Sequence, residues 1–352
     1  MKALPFRSLK LKLIMLSVMH LVTDGLCAYL VFSKLYTDDY MQAVLLFFAY
    51  NILAFVTQAP IGILIDKYNK PKIFLATSIL FMVLGYALSD LWYLSVIFIG
   101  ISNSLFHVAG GKYITDKSGN DISHLGIFVS TGAIGLVLGQ RYLSFTLMPY
   151  IFFILLIACG LIIILSEDSE TKTYSESFDN KKLEIFALIS IVTVVVIRSF
   201  VGKAVSPDFT MSGHMFLAVA IATALGKAMG GVLSKLLGVR LITCISMIVA
   251  ALCLTLGAGN FYVFIFGVFA FNFSMPITLC YANIMLRGHE GFAFGALAAS
   301  LTPGYFLALL FDYSLPMRII VAIMCLVSMF TIIIVSKRIN KHVDSPTTNC
   351  NY

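Results

Sequence analysis

Charge is what this sequence has least of. Only 12% of its 352 residues are Asp, Glu, Lys or Arg, where a soluble domain carries about 25%. Polar stretches are as scarce: one alone, Glu167 to Lys182, interrupts the apolar runs for any length. The seven cysteines form no CxxC pair and have no Cys/His spacing suited to zinc. Six of them lie in apolar runs, where a thiol serves as a small packing residue. No Walker loop and no nucleophile–base constellation is present, and no metal or cofactor is expected. The N-terminus is basic and then apolar. No small-residue cleavage site follows, and the apolar run exceeds a signal h-region, so a retained first span is expected. These absences exclude a soluble enzyme and a disulfide scaffold. The net charge of +7 fits positive loops at a membrane face rather than a nucleic-acid patch.

What is there is hydrocarbon. Hydrophobic residues make up 60% of the chain, and the mean hydropathy is +0.96. A helix of about 20 apolar residues crosses a bilayer core. Twelve such runs are legible, at 12–32, 41–64, 73–88, 91–113, 122–145, 149–165, 185–205, 213–236, 241–256, 261–286, 291–310 and 317–335. The third and ninth are short and would stand with little tilt. With a cytoplasmic N-terminus, most of the 24 lysines and arginines fall in inside segments, so both termini are expected to be cytoplasmic. Lys34, Arg141, Lys203 and Arg318 fall outside, and Arg198 and Lys227 lie within spans.

The chain also repeats. Gly62-Ile-Leu-Ile-Asp66-Lys67 after the second run is matched by Gly230-Gly-Val-Leu-Ser234-Lys235 after the eighth, and Gly126 and Gly135 recur as Gly295 and Gly304. A half-chain period with six runs per half predicts an all-α membrane protein: twelve transmembrane helices in two pseudo-symmetric six-helix bundles. The expected parts are a bundle over 1–166, a cytoplasmic linker over 167–182, a second bundle over 183–338, and a disordered tail over 339–352. A solute site is expected near the midplane between the halves.

Polar side chains in the middle of spans are costly and mark pathways. His20 and Asp24, at i and i+4, share one face of the first span. An intramembrane carboxylate beside a histidine is a place to hold a proton or coupling ion. The plainer alternative is an inter-helix hydrogen bond that fixes packing. Asn103 and His107 in the fourth span are candidates for solute contact or for the His20–Asp24 pair. Arg198 and Lys227 lie too deep to reach an interface, and a guanidinium can hold a carboxylate or phosphonate in two-pronged fashion. Lys112 lies near a span end and can snorkel. Gly132, Gly135 and Gly139 permit close helix approach. Pro276 and Pro303 predict kinks. Asn272, Asn283 and Tyr305 are further candidate polar liners.

The string Gly62-Ile63-Leu64-Ile65-Asp66-Lys67-Tyr68-Asn69-Lys70 resembles the basic turn after span two of the major facilitator superfamily. Asn69 stands in a glycine position, and Asn tolerates a left-handed conformation. The resemblance implies a cytoplasmic charge latch built from Gly62, Asp66, Lys67 and Lys70, weakened in the second half where Ser234 replaces the aspartate. Three further strings are similar to the fosmidomycin-resistance type of efflux protein. They are His20-Leu-Val-Thr-Asp24, Ser104-Leu-Phe-His107-Val108, and the glycine-rich Gly126 to Gly139 helix of antiporters. This likeness implies a monomeric plasma-membrane antiporter that works by alternating access. It would exchange protons at Asp24 and His20 for a small anionic or amphiphilic compound held by His107, Asn103, Arg198 and Lys227. Other readings are an importer or facilitator of an organic anion, and a membrane sensor or scaffold that transports nothing.

Overall fold

The computed structural model describes residues 8–34, 39–167, 181–205, 207–311 and 315–342. Its regular elements are helices. In chain order the spans are α1 (Leu9–Ser33), α2 (Tyr40–Tyr68), α3 (Pro71–Ala87), α4 (Trp92–Ser118), α5 (Ile122–Arg141), α6 (Met148–Leu165), α7 (Glu184–Ala204), α8 (Gly213–Leu237), α9 (Val239–Leu256), α10 (Phe261–Met285), α11 (Glu290–Ala308) and α12 (Pro316–Ile339). Eleven are long and apolar enough to cross a membrane, and α3, at 17 residues, is the short one. The chain is an integral membrane protein, with twelve helical spans among the described residues. Of the expected linker, residues 168–180 lie outside the described residues, as do residues 343–352 of the tail. The last helix continues to His342, past the expected boundary at 338.

Local chemistry starts and stops the spans. Asp39, Asp121, Ser212 and Asn260 each accept a backbone N–H in the first turn of the helix that follows, which satisfies donors that a helix start leaves open. Asn69 closes α2 with φ at +50°, the left-handed conformation expected where glycine is usual. Pro71 then opens α3. The two expected kinks are breaks. A proline ring clashes with the carbonyl four residues earlier. For Pro276 that residue is Asn272, where α10 is interrupted. For Pro303 it is Ala299, the last residue before the interruption of α11 at Ser300. A third break divides α5 between Phe128 and Gly132 without a proline, and there Thr131 Oγ1 donates to the Ser17 carbonyl.

Two of these breaks, in α5 and α11, coincide with places where the chain changes unit. One compact unit takes residues 1–118, 131–172 and 288–299; the other takes 119–130, 173–287 and 300–352. The first part of α11 therefore packs with the N-terminal helices, and the first part of α5 with the C-terminal ones. The repeated glycines show why. In the first unit a Cβ on Gly135 would strike the Leu21 backbone, and one on Gly295 would strike the Gln58 backbone. In the second unit the same holds for Gly304 against Val196 and for Gly126 against Lys227. Each half of α5 and α11 thus lies against a neighbour at a distance that only glycine allows.

In the first unit α1 and α4 are the interior helices: 67% and 72% of their apolar windows are buried, against 17% for α2. Leu16, Met19, Val22 and Leu26 of α1 are fully buried. The core of the second unit gathers Phe200, Met247, Phe264, Val321 and Cys325.

Candidate functional site

The interior position of α1 and α4 brings two i, i+4 pairs together. His20 and Asp24 come from α1, and Asn103 and His107 from α4. His20 Nε2 lies 3.4 Å from Asp24 Oδ2, and His107 Nε2 lies 3.4 Å from Asp24 Oδ1. Asn103 Nδ2 donates to Asp24 Oδ1 at 3.2 Å. The two imidazoles meet edge to face, with Nε2 atoms 2.9 Å apart. His20 is buried, and the Asp24 side chain is 18% exposed.

Geometry assigns the protons. His107 Nδ1 faces the Asn103 carbonyl at 2.8 Å. A carbonyl only accepts, so Nδ1 carries the hydrogen and the neutral ring presents a lone pair at Nε2. His20 Nε2–H can donate to that lone pair. A further proton placed on His107 Nε2 gains Asp24 Oδ1 as its acceptor. The cluster therefore has a place for one further proton when His20 moves its hydrogen from Nε2 to Nδ1 and lets Nε2 accept. Asn103 Oδ1 is buried and has no partner among the described residues, so one acceptor stays open beside the carboxylate. The donor atoms of His20, Asp24 and His107 all lie within 4.8 Å of one another, a metal-like spacing. The two imidazoles also meet through their Nε2 atoms at 2.9 Å, so the same nitrogens are engaged in a hydrogen-bonded cluster.

The expected glycine stripe forms the back of this cluster. A Cβ on Gly132 would collide with the Asp24 carboxylate and the His20 ring. Gly139 likewise faces the Gly25 backbone. The glycines bring α5 against the face of α1 that carries the charge.

Asp66, expected in a charge latch with Lys67 and Lys70, makes its contacts to other helices. Asp66 accepts the N–H of Gly291 and of Phe292, each at 2.8 Å, so its carboxylate caps the start of α11. A Cβ on Gly62 would strike the Gly291 backbone. Lys67 and Lys70 are exposed; Lys67 lies over the Tyr68 ring and neither pairs with Asp66 among the described residues. The cation is Lys112 of α4. Its Nζ lies 3.5 Å from Asp66, 3.2 Å from Asp116 and 3.2 Å from Glu290. Lys112 is only 5% exposed, so it does not snorkel. Carboxylates from three helices hold it inside.

The second unit has its own ion pair. Lys235 Nζ donates to Asp121 Oδ2 at 2.5 Å, and His124 Nδ1 lies 3.2 Å from the same oxygen. Ser123 donates its N–H and its hydroxyl to Asp121 Oδ1. Burial works against this charge, but hydrogen bonds from His124, Lys235 and Ser123 outweigh it and hold the carboxyl well below the ordinary aspartate range. Lys112, Asp121, Lys235 and Glu290 were missed as a group by sequence reasoning. The signal was available: the register that matches Gly126 with Gly295 also matches Asp121 with Glu290.

Arg198 and Lys227 line a cavity of about 690 Å³ within the second unit. Lys203 joins them as a third cation, with Nζ over the Tyr305 ring. Arg198 Nη1 donates to Thr278 Oγ1 at 3.3 Å, and no carboxylate pairs with it among the described residues. Asn272 lines the same cavity, whereas Asn283 bonds Asn120 instead. Among the described residues, no acidic side chain is in the lining. Of the two expectations for His107 and Asn103, solute contact or the His20–Asp24 pair, both residues do contact Asp24.

The sequence profile of the Major Facilitator Superfamily matches residues 14–184. No curated protein matches the chain. Among solved structures, the E. coli fucose:proton symporter FucP is similar with a TM-score of 0.67 and 14% identity, over 92% of this chain and 97% of that one. FucP in an outward conformation gives 0.68 at 16% identity, over 92% and 97%. The human organic anion transporter MFSD10 gives 0.60 at 11% identity, over 93% and 100%. The architecture of this chain is the major facilitator fold.

Proposed function

We propose that the chain is a major facilitator superfamily transporter of the fosmidomycin-resistance type, a proton-coupled antiporter that exports a small anionic or amphiphilic compound across the plasma membrane. The observation that carries this reading is the His20–Asp24–Asn103–His107 cluster. It joins a carboxylate to two imidazoles inside the first unit, with His20 buried and Asp24 and His107 half-buried, and it has a place for one further proton. A proton-driven carrier needs a group of this kind, whose charge changes with the ion it takes up. The Arg198 cavity supplies the other requirement, a positive wall for an anion. In this reading Asp24 and His20 carry the proton. His107 and Asn103 set the proton acceptor rather than touch the solute. Arg198 and Lys227 hold the solute's charge, and Asp66 with Lys112 holds the cytoplasmic latch.

Proteoliposomes with entrapped pH dye, challenged with benzoate, 4-phenylbutyrate and methylphosphonate, test it. The wild-type protein should couple movement of at least one anion to proton movement. Asp24→Asn should abolish that coupled movement while keeping solute exchange at zero gradient. Intact gradient-driven transport by Asp24→Asn would remove the coupling role. A second reading, import together with protons, is favoured by the fold shared with a fucose:proton symporter. The direction of flux under an imposed pH gradient separates the two.

A further inference from the structure

We infer that the solute of the Arg198 cavity is an amphiphilic monoanion, with a single carboxylate-like head on an aromatic or branched apolar body. This rests on the anion-transport reading above and narrows it. The cavity's cations are few and grouped. Arg198 and Lys203 lie five residues apart on α7, about 7.5 Å along its axis, and Lys227 projects from α8. Thr278 holds one nitrogen of the Arg198 guanidinium. The remaining edge of that planar group has the shape that one carboxylate fills with two parallel hydrogen bonds.

The rest of the wall is apolar. Phe209, Phe216, Phe264 and Phe271 line it with Met211 and Met275. Phe209 meets Phe264 edge to face at 6.4 Å between ring centroids, so ring edges and faces are both presented to the space. Methionines adapt to bodies of differing outline. A small hydrophilic anion such as phosphate would satisfy the cations and leave this wall in contact with water, with no gain from burying it. A neutral apolar compound would bury the wall and leave Arg198 desolvated beside a group that cannot accept from it. Only a molecule with both parts uses the whole site. The volume of about 690 Å³ lies within the range of pockets that enclose drug-sized ligands.

Thermal unfolding of the purified full-length protein, with four named probes, tests this. 4-Phenylbutyrate should raise Tm in a concentration-dependent way. 4-Phenylbutyramide, acetate and inorganic phosphate should each give less than a tenth of that shift at equal concentration. Arg198→Gln should erase the response. Phe216→Ala, at a half-buried wall position, should weaken apparent affinity for 4-phenylbutyrate several-fold without changing the response to acetate. Phosphate or acetate matching 4-phenylbutyrate would overturn the amphiphile class and leave the anion reading standing. The amide matching the acid would overturn the recognition of charge, and with it both readings. No response to any anion, with Arg198→Gln indistinguishable from wild type, would also remove both. The ranking of probes on wild-type protein decides the class even if Arg198→Gln fails to fold.

Discussion

A methyl group at position 132 has nowhere to go. It would project into the space held by the Asp24 carboxylate and the His20 ring, and neither can retreat without giving up partners on α4. Gly132→Ala should therefore act on the Asp24 cluster, the proposed coupling site, before it acts on the fold. The expected strain is about 1–3 kcal/mol, typical of added volume in a filled interior. The expected signature is loss of proton-coupled flux with a far smaller loss of Tm, read in proteoliposomes and by thermal unfolding of the same preparation. An equal loss in a control such as Gly160→Ala, which meets the Ile79 side chain away from the cluster, would make the effect one of general packing. The residues of this site were half legible in sequence. Each i, i+4 pair was readable on its own helix, because helical spacing is fixed. That the two pairs converge on one carboxylate was not readable, because no local rule says which helices become neighbours.

At the scale of elements, helix ends do more than terminate. Asp121 opens α5 and also receives Lys235 from α8, so one carboxylate serves as cap and tether. Its carboxyl is held below the usual range, which fixes the sign of a pH effect. A group with a depressed folded-state pKa contributes stability that is present above the unfolded value, about 3.9 for Asp. That stability is lost as pH falls through the folded value. The Tm gap between wild type and Asp121→Asn should be constant at neutral pH and should shrink below about pH 4. Asn caps a helix as well as Asp does, so the gap reports the charged bonds, about 1.5–3 kcal/mol for a hydrogen bond to a charged group. A gap unchanged down to pH 3 would show that the charge contributes nothing. The same element level explains the contacts of Asp66. The sequence string grouped Asp66 with Lys67 and Lys70, which follow it in the chain. A helix end points such residues outward, and the buried cation came from a helix that local sequence does not connect.

For the whole molecule, the internal repeat carried the most information. It predicted two sets of six spans, and its matched glycines turned out to be the contact points of α5 and α11 in both units. It did not reveal that α5 is divided, because the break there has no proline to announce it, whereas Pro303 announced the one in α11. The division has an energetic consequence in the first unit. Residues 288–299 pack there, held by the Asp66 cap and by Lys112 among three carboxylates. Removing one partner of a buried ionic group costs about 3–5 kcal/mol. Lys112→Gln leaves Asp66, Asp116 and Glu290 facing one another without a cation, so the segment that carries Glu290 should be the first to let go. Hydrogen–deuterium exchange should show the amides of residues 288–299 protected in the wild type and exchanging at least tenfold faster in Lys112→Gln. The cluster around Asp24 should keep its protection. Exchange that rises uniformly across the first unit would mean that Lys112 supports the unit as a whole; a rise confined to 288–299 would identify it as the clasp on that segment alone.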